Sequence, residues 1–208
     1  MRGSRRNIFG AALFYLRCTW FISADRAANS PTLRSRLNNM ANKIFLIGLM
    51  GSGKSFWAEK LANVLTIPFF DLDAEIERSE KRSITAIFQT DGQDEFRRKE
   101  AQALRAFSNY ESFVLSTGGG TPCFNGNMQW MNEHGITIWI DESLDVIAER
   151  LKGQREHRPL VAELAEGGVR EFLSDMLTNR RAFYEQAKFH LAGDQITEEN
   201  FLKIIRNE

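Results

Sequence analysis

The strongest constraint on the fold is a glycine-rich segment, residues 48–55, that separates an apolar run from a helical stretch. Residues 44–47 are all apolar, as expected for a strand buried on both faces of a sheet. The segment reads G-L-M-G-S-G-K-S and fits G-x-x-x-x-G-K-[ST] at every defined position. Glycines let the backbone turn tightly, so several N–H groups point inward beside a helix N-terminus. The sequence therefore predicts a loop that cradles phosphate groups but leaves the acceptor open.

Two side chains of this segment carry groups that nucleotide chemistry needs. The Lys54 ammonium group can reach the β- and γ-phosphates, and the Ser55 hydroxyl is placed to bind Mg²⁺. A glycine-rich turn without a ligand is the alternative. The motif, however, follows an apolar strand and opens a helix, which is the context that phosphate binding requires.

Short apolar runs alternate with longer amphipathic stretches along the rest of the chain. The predicted strands cover residues 44–47, 67–70, 113–116, 136–140 and 189–191. The predicted helices cover residues 54–65, 83–107 with a break at Asp91 and Gly92, 143–151 and 169–188. Strands that alternate with helices favour a mainly parallel sheet covered on both faces. The sequence thus predicts an α/β protein with three layers, α/β/α.

The overall composition narrows the classes of function. The 27 basic and 27 acidic residues give a formal net charge of +0, whereas a nucleic-acid binder normally carries a basic excess. Cys18 and Cys123 show no metal-ligand spacing, and two cysteines do not make a disulfide framework. No apolar run approaches the roughly 20 residues of a membrane-spanning helix. We therefore expect a protein of a reducing compartment that binds neither nucleic acid nor a membrane.

The first 39 residues differ in composition from the rest of the chain. They contain seven arginines, Asp25 is their only acidic residue, and their apolar stretch ends at Arg17. This composition fits an organelle transit peptide, whereas a secretory signal would need a longer apolar segment. Because Met40 stands directly before the first predicted strand, we favour another interpretation. Residues 1–39 are then a non-core extension or the result of a misplaced start, and residues 40–208 are the domain.

Two acidic residues, in the segment D-L-D (71–73), close the second predicted strand. Asp71 and Asp73 stand two positions apart, and residues i and i+2 of a strand share a face. Parallel sheets bind ligands at this edge, where one carboxylate could orient a magnesium ion and the other could accept a hydroxyl proton. Helix N-capping explains such acidic residues equally well.

A glycine run and three arginines complete the set of candidates. Residues 118–120 are all glycine. Three successive glycines lower the stability of the folded protein, so a reason for them is expected. Close contact with a bound small molecule is one such reason, and a tight loop is the other. Arg97, Arg158 and Arg180 are candidates to pair with an acceptor carboxylate or with the transferred phosphoryl group. Solvated surface positions explain each arginine equally well.

Together these segments resemble the shikimate kinase family, from about Lys43 to the C-terminal helix. The resemblance rests on G-L-M-G-S-G-K-S (48–55), F-F-D-L-D (69–73), S-I-T-A-I-F (83–88), D-G-Q-D-E-F-R-R (91–98), S-T-G-G-G (116–120), R-P-L (158–160) and the segment from Arg180 to Tyr184. Several motifs in family order are far more specific than one phosphate-binding loop. The resemblance implies the P-loop kinase fold, with a five-stranded parallel sheet in the order 2-3-1-4-5 and a mobile lid over roughly residues 152–168.

The resemblance also implies an activity. ATP-dependent phosphorylation of the 3-hydroxyl of shikimate would yield 3-phosphoshikimate and ADP, in chorismate and aromatic amino-acid biosynthesis. ATP is then the co-substrate, and one Mg²⁺ ion per subunit is held directly by Ser55 and through water by Asp71. A monomeric, cytoplasmic enzyme is implied as well, with organelle import through residues 1–39 as the alternative.

Family roles transfer position by position onto the matching motifs. Asp73 corresponds to the residue that binds the ring hydroxyls and activates the attacking one, and Lys54 and Arg158 complete the implied catalytic set. The implied ATP-binding residues are Gly51, Ser52, Gly53, Lys54, Ser55, Phe56 and Arg158, the last of them in the lid. The implied shikimate-binding residues are Asp73, Gly119, Gly120 and the two carboxylate-binding arginines, Arg97 and Arg180.

The sequence departs from the family pattern directly after the phosphate-binding segment. The family usually has threonine, an aliphatic residue and glycine there, whereas this chain has Phe56, Trp57 and Ala58. Phe56 brings no hydroxyl to the α-phosphate, while the phosphate cradle itself is complete. The segment between Arg150 and Arg158 is also one residue longer than in some members.

Two other functions remain open on the sequence alone. A kinase for another small hydroxy acid, such as gluconate, would share the phosphate-binding loop but give no reason for the combination of Arg97, Gly119 and Arg180. A catalytically dead nucleotide-binding relative would not need Lys54 and Asp73 intact. ADP release measured with shikimate, with gluconate and without an acceptor distinguishes these functions.

Overall fold

Five strands and seven α-helices make up residues 43–152 and 168–206, the part of the chain that the computed structural model describes. The strands are β1 (Lys43–Ile47), β2 (Phe69–Asp71), β3 (Phe113–Ser116), β4 (Ile136–Asp141) and β5 (Phe189–Ala192). The helices are α1 (Lys54–Leu65), α2 (Leu72–Glu80), α3 (Ile84–Ala106), α4 (Asn127–His134), α5 (Leu144–Lys152), α6 (Gly168–Tyr184) and α7 (Glu198–Arg206). Single 3₁₀ turns follow α3, β3 and β5, at Phe107–Asn109, Thr121–Cys123 and Gly193–Gln195.

All five strands are parallel and form one sheet in the order β2-β3-β1-β4-β5. At its centre, Phe45 of β1 pairs with Leu115 of β3 and with Thr137 of β4. This order confirms the predicted three-layer P-loop kinase fold. The chain leaves β1 toward one edge of the sheet and leaves β3 toward the other edge. The carboxyl ends of these two neighbours therefore border the crevice in which open α/β sheets bind ligands.

The two faces of the sheet bury separate apolar cores. On β1, Phe45 and Ile47 belong to one core, and Ile44 and Leu46 belong to the other. Alternate residues of a strand point to opposite faces, so a strand that is apolar throughout needs cover on both sides. The continuous apolar run predicted this arrangement, which fixes the sheet and its carboxyl edge between helices.

The helix boundaries follow from local sequence. α1 ends at Leu65, directly before Thr66, whose left-handed backbone has φ 56°. The helix spans the residues predicted as helical. α3 begins after Ser83, whose Oγ accepts a hydrogen bond from the Ala86 N–H at 3.1 Å. The predicted break in this helix is a kink, because Gly92 has non-helical backbone angles with φ 82°.

The prediction that the second strand extends through Asp73 is wrong. β2 ends at Asp71, and α2 begins at the next residue. The Oδ1 atom of Asp71 accepts hydrogen bonds from the N–H groups of Asp73 and Ala74, at 3.1 and 3.4 Å, and so caps α2. Asp73 therefore lies in the first turn of a helix that the sequence pattern did not reveal.

Some predictions concern residues outside the described ranges. These are the extension over residues 1–39, the lid residue Arg158, and most of the lid that was predicted over residues 152–168. Within the described ranges, no helix combines the length and the apolar character needed to cross a membrane.

Candidate active site

The loop between β1 and α1 has the backbone that a phosphate cradle requires. Gly48, Gly51 and Gly53 have φ angles of 139°, 77° and 96°, which residues with a side chain rarely adopt. A Cβ atom at Gly48 would also lie 2.5 Å from the carbonyl oxygen of Ile140 in β4. The motif glycines are therefore required both by the turn and by its close approach to the sheet.

Two polar side chains are buried in this loop. The Lys54 Nζ donates a hydrogen bond to the carbonyl oxygen of Leu49 at 2.7 Å, which keeps the ammonium group at the loop. The Ser52 Oγ is buried and has no hydrogen-bond partner within the described part of the chain. A buried hydroxyl without a partner costs stability, and a bound phosphate oxygen would satisfy it.

Three oxygen atoms from α1, β2 and β3 meet beside the loop. The Ser55 Oγ donates a hydrogen bond to Oδ2 of Asp71 at 2.8 Å and lies 3.0 Å from the Oγ of Ser116. Magnesium prefers such oxygen ligands and keeps several waters, so Ser55 and Asp71 fit the predicted ion. Among residues 43–152 and 168–206, no cluster of three His, Cys, Asp or Glu side chains could hold a metal. Water and phosphate oxygens would therefore complete the coordination shell.

Asp73 has the ionisation properties of a general base. Burial raises its pKa to about 6, and the nearby carboxylates of Asp71 and Glu100 add to this effect, although Lys54 and Arg97 lower the pKa. The pKa of Asp73 therefore depends on charges in both the phosphate-binding loop and α3. A carboxylate with this pKa is ionised at neutral pH and still has appreciable proton affinity.

The three glycines after β3 are needed for close approach, because none of them has a positive φ. Each hypothetical Cβ atom falls against a charged side chain: 3.0 Å from Asp73 Oδ1 at Gly118, 3.1 Å from Arg180 Nη1 at Gly119, and 2.5 Å from Arg97 Nη2 at Gly120. The run thus brings one carboxylate and two guanidinium groups to a single stretch of backbone. This arrangement favours ligand contact over a merely tight loop.

Arg97 is held by several neighbours. Its Nη1 donates a hydrogen bond to Oε2 of Glu100 at 2.8 Å, and the Oε1 of Glu100 accepts a hydrogen bond from the Thr121 hydroxyl at 2.6 Å. The guanidinium carbon lies 4.3 Å from the ring centroid of Phe124 and 5.0 Å from that of Phe96. A carboxylate ligand would therefore meet a guanidinium group that is already oriented.

Glu100 is a site residue that the sequence analysis did not identify. It is fully buried, binds Arg97 and contributes to the raised pKa of Asp73. Its position three residues after Arg97, which places both on one helix face, was the available signal. This spacing is equally typical of surface ion pairs, so the sequence alone did not reveal the role.

Helix α6 brings Arg180 and Tyr184 to the glycine run. The Tyr184 hydroxyl is buried and donates a hydrogen bond to the carbonyl oxygen of Gly119 at 2.5 Å. Burial raises the pKa of Tyr184 to about 12, against the lowering effect of the adjacent Arg180. The phenol is therefore a neutral donor that fixes the backbone of Gly119.

A cavity of about 560 Å³ connects the phosphate-binding loop with the glycine run, and its volume suits a small-molecule ligand. Of the predicted site residues, the lining contains Gly51, Gly53, Lys54, Ser55, Phe56, Asp71, Asp73 and Gly119. The lining does not contain Ser52, Arg97, Gly120 or Arg180. The guanidinium groups of Arg97 and Arg180 lie against Gly120 and Gly119, next to the cavity. Arg158 lies outside the described residues.

A family model for shikimate kinase matches residues 50–207. The chain belongs to the shikimate kinase family. A shikimate kinase of Phocaeicola vulgatus is 36% identical over 154 residues, which cover 74% of this chain and 88% of that protein. The 1.7 Å crystal structure of shikimate kinase from Bacteroides thetaiotaomicron is 32% identical, with a TM-score of 0.72 over 80% of this chain and 96% of that one. Shikimate kinase from Acinetobacter baumannii in complex with shikimate is 26% identical, with a TM-score of 0.70 over 83% of this chain and 97% of that one.

Membership of the shikimate kinase family confirms the resemblance drawn from the motifs. It makes the protein an ATP-dependent kinase, as predicted, and favours shikimate over gluconate as the acceptor. The motifs that carried the prediction, from the phosphate-binding loop to Tyr184, all lie in or next to the matched residues 50–207. The family match therefore covers nearly all of the segments on which the resemblance rests.

The cavity wall contains further residues that were not among the predicted site residues. Arg150 of α5 donates a hydrogen bond to the carbonyl oxygen of Gly51 at 3.2 Å, pairs with Glu142 at 3.0 Å, and lines the cavity. Gly193 and Ile196 line it as well. Arg150 and Gly51 stand far apart in the sequence, and no local pattern links them.

Proposed function

We propose that the protein transfers the γ-phosphoryl group of ATP to the 3-hydroxyl of shikimate and so produces 3-phosphoshikimate and ADP. The observation that carries this proposal is the convergence of Asp73, Arg97 and Arg180 on the glycine run beside the phosphate-binding loop. The Asp73 carboxylate can accept hydrogen bonds from ring hydroxyls, and the two guanidinium groups can bind a ligand carboxylate. Shikimate carries both ring hydroxyls and a carboxylate. The reaction belongs to chorismate and aromatic amino-acid biosynthesis.

The acceptor is bound from three sides in this proposal. Arg97 and Arg180 bind the shikimate carboxylate, with Arg97 oriented by its ion pair to Glu100. The backbone of Gly119 and Gly120 contacts the ring, which a side chain at either position would prevent. Asp73 then faces the ring hydroxyls from α2.

Asp73 acts as the general base. It accepts the proton of the 3-hydroxyl while this oxygen forms a bond to the γ-phosphorus, and the bond from the γ-phosphorus to the leaving oxygen of ADP breaks. Because the pKa of Asp73 is about 6 in the free protein, the residue is ionised at neutral pH and can accept the proton. Lys54, together with Arg158 from the lid, stabilises the negative charge on the transferred group.

The phosphate-binding loop holds the nucleotide. The backbone N–H groups of residues 51–53 and of Ser55 and Phe56 surround the phosphates, and the Lys54 ammonium group binds the β- and γ-phosphates. One Mg²⁺ ion, held directly by Ser55 and through water by Asp71, would supply further positive charge at these phosphates. The hydrogen bond of 2.8 Å between the two side chains supports this pairing.

We further propose that the enzyme is a cytoplasmic monomer and that residues 1–39 lie outside its catalytic domain. Strand β1 begins at Lys43, and the family match begins at residue 50. Both starting points support a domain that begins near Met40. Gel filtration at the assay concentration would test the monomer directly, and a dimer would contradict it.

A protein that begins at Met40 should fold and phosphorylate shikimate like the full chain, because every residue proposed for the site follows β1. Circular dichroism and the shikimate kcat/KM of the two proteins would check this. Insoluble or inactive protein after truncation would instead assign residues 1–39 to the core.

Arg97→Lys should raise the KM for shikimate about 10- to 100-fold, because lysine keeps the charge but loses the fork that binds a carboxylate. Steady-state kinetics with saturating ATP would measure this change. Arg98→Lys is the matched control, since the neighbouring Arg98 side chain is 66% exposed and pairs with Glu95 instead. An unchanged KM in the Arg97 variant would remove the carboxylate-binding role and favour another hydroxylated acceptor.

A further inference from the structure

An aromatic pair beside the phosphate-binding loop has no role in the phosphoryl transfer itself. Phe56 and Trp57 lie in the first turn of α1, and both line the cavity. Phe56 is 63% exposed although its side chain is large and apolar. An apolar ring that is open to solvent at the wall of a ligand cavity is available to pack against a ligand.

The two rings differ in how they are supported. The Trp57 ring lies 4.9 Å from that of Phe201 in α7, and the Lys60 Nζ stands 5.0 Å from the Trp57 ring. Phe56 contacts the supported Trp57 ring edge-on, at a centroid distance of 5.4 Å and an interplanar angle of 77°. Trp57 is therefore anchored against the body of the domain, and Phe56 extends from it into the open part of the site.

The orientation of the bound triphosphate follows from the reacting groups. The γ-phosphate must lie near Ser55, Asp71 and Asp73, where acceptor and base meet. The remainder of the nucleotide then leaves the loop near Gly53, where a Cβ atom would lie 3.5 Å from Arg150 Nη1 and 3.6 Å from Trp57 Cδ1. The nucleoside end of the triphosphate therefore reaches the part of the cavity that Phe56 and Trp57 line.

We propose that Phe56 and Trp57 form an aromatic shelf for the adenosine of ATP, with the Phe56 ring packed against the nucleoside. The inference rests on the proposed function only in requiring ATP in the phosphate-binding loop. When an aromatic ring that stacks on a single base is removed, the affinity for the nucleotide typically falls measurably. Phe56 thus supplies a ring contact at a position where the resemblance leads us to expect a hydroxyl contact to the α-phosphate.

Replacement of Phe56 separates nucleoside packing from phosphate binding. Phe56→Ala, which removes the ring and adds no hydroxyl, should raise the Kd for ATP and for ADP about tenfold. Inorganic tripolyphosphate, which has no nucleoside, should bind Phe56→Ala as it binds the parent. Phe56→Tyr keeps the ring and should retain the parental Kd. Val64→Ala is the matched control, since Val64 is also exposed on α1, at 45%, but does not line the cavity.

Isothermal titration with ATP, ADP and tripolyphosphate gives decisive outcomes. Parental ATP affinity in Phe56→Ala, or an equal loss of affinity for tripolyphosphate, would overturn the shelf. A parent protein that binds ATP but does not phosphorylate shikimate would remove the proposed function, and the Phe56 comparison would still decide the shelf. A parent protein that binds no ATP would overturn both proposals.

Discussion

Lys54→Met should lower the turnover number roughly a thousandfold, the size of effect seen when a preorganised group that stabilises transition-state charge is removed. The Lys54 ammonium group lies at the phosphate-binding loop, held by its hydrogen bond to the carbonyl oxygen of Leu49. Methionine retains most of the buried aliphatic length, so the fold should persist while the charge on the β- and γ-phosphates is lost. Single-turnover kinetics with saturating ATP and shikimate would measure the chemical step.

A matched variant separates this effect from a general loss of positive charge. Lys203→Met removes a lysine from α7, where Lys203 forms an exposed ion pair with Glu199, and it should leave turnover unchanged. Near-parental turnover in Lys54→Met would contradict the assignment of residues 48–55 as the phosphate cradle. A thermal melt of each variant confirms that the comparison is made between folded proteins.

Asp73→Asn should lower kcat by about 100- to 10,000-fold, because general acid–base catalysis typically contributes this much. Asparagine can still form hydrogen bonds with the ring hydroxyls, so the KM for shikimate should change far less than kcat. This pattern is the reverse of that expected for Arg97→Lys, in which KM changes more than kcat. Both variants should retain parental ATP affinity without acceptor, because that affinity comes from residues 48–55. If kcat survived the loss of the Asp73 carboxylate, this residue would not be the base.

The same variant should be more stable than the parent at neutral pH when no ligand is bound. The folded protein raises the pKa of Asp73 from an ordinary value of 3.8 to about 6, so folding favours the protonated form. The contribution of protonated Asp73 to the free energy of unfolding is fully present below pH 3.8, and it is lost as the pH rises through about 6. At about pH 7.5 the parent therefore keeps a partly buried carboxylate whose charge asparagine avoids. The Tm of Asp73→Asn should exceed that of the parent there, by a margin that shrinks toward about pH 5. A lower Tm at neutral pH would contradict the burial of this carboxylate.

The architecture could be predicted because its determinants are local or periodic. The phosphate-binding loop is set by glycines whose backbone angles other residues rarely adopt, and the central strand is set by an apolar run buried on both faces. The limits of α1 and β3 agree with the predicted ranges, residues 54–65 and 113–116. Strand order, by contrast, came only from the family resemblance, because local patterns do not encode which strands become neighbours.

The site was predicted less completely than the fold. The sequence offered capping and catalysis as alternatives for the two aspartates. In the structure, Asp71 caps α2 and also lines the cavity, whereas Asp73 lies in the first turn of α2 and lines the cavity. Helix α2 was missed because it begins directly at the end of β2, without an intervening loop. Glu100 and Arg150 were missed because each acts through tertiary contacts, Glu100 with Thr121 and Arg150 with Gly51.

ADP release, measured with ATP and Mg²⁺ in the presence of shikimate, of gluconate, or of no acceptor, tests the proposed activity most directly. A coupled assay follows the rate, and ³¹P NMR of the product identifies the phosphorylated hydroxyl. We predict ADP release that depends on shikimate, with one ADP formed for each 3-phosphoshikimate, and only background release in the other two reactions. Equal release without an acceptor, preferential use of gluconate, or no release with shikimate would contradict the proposed activity.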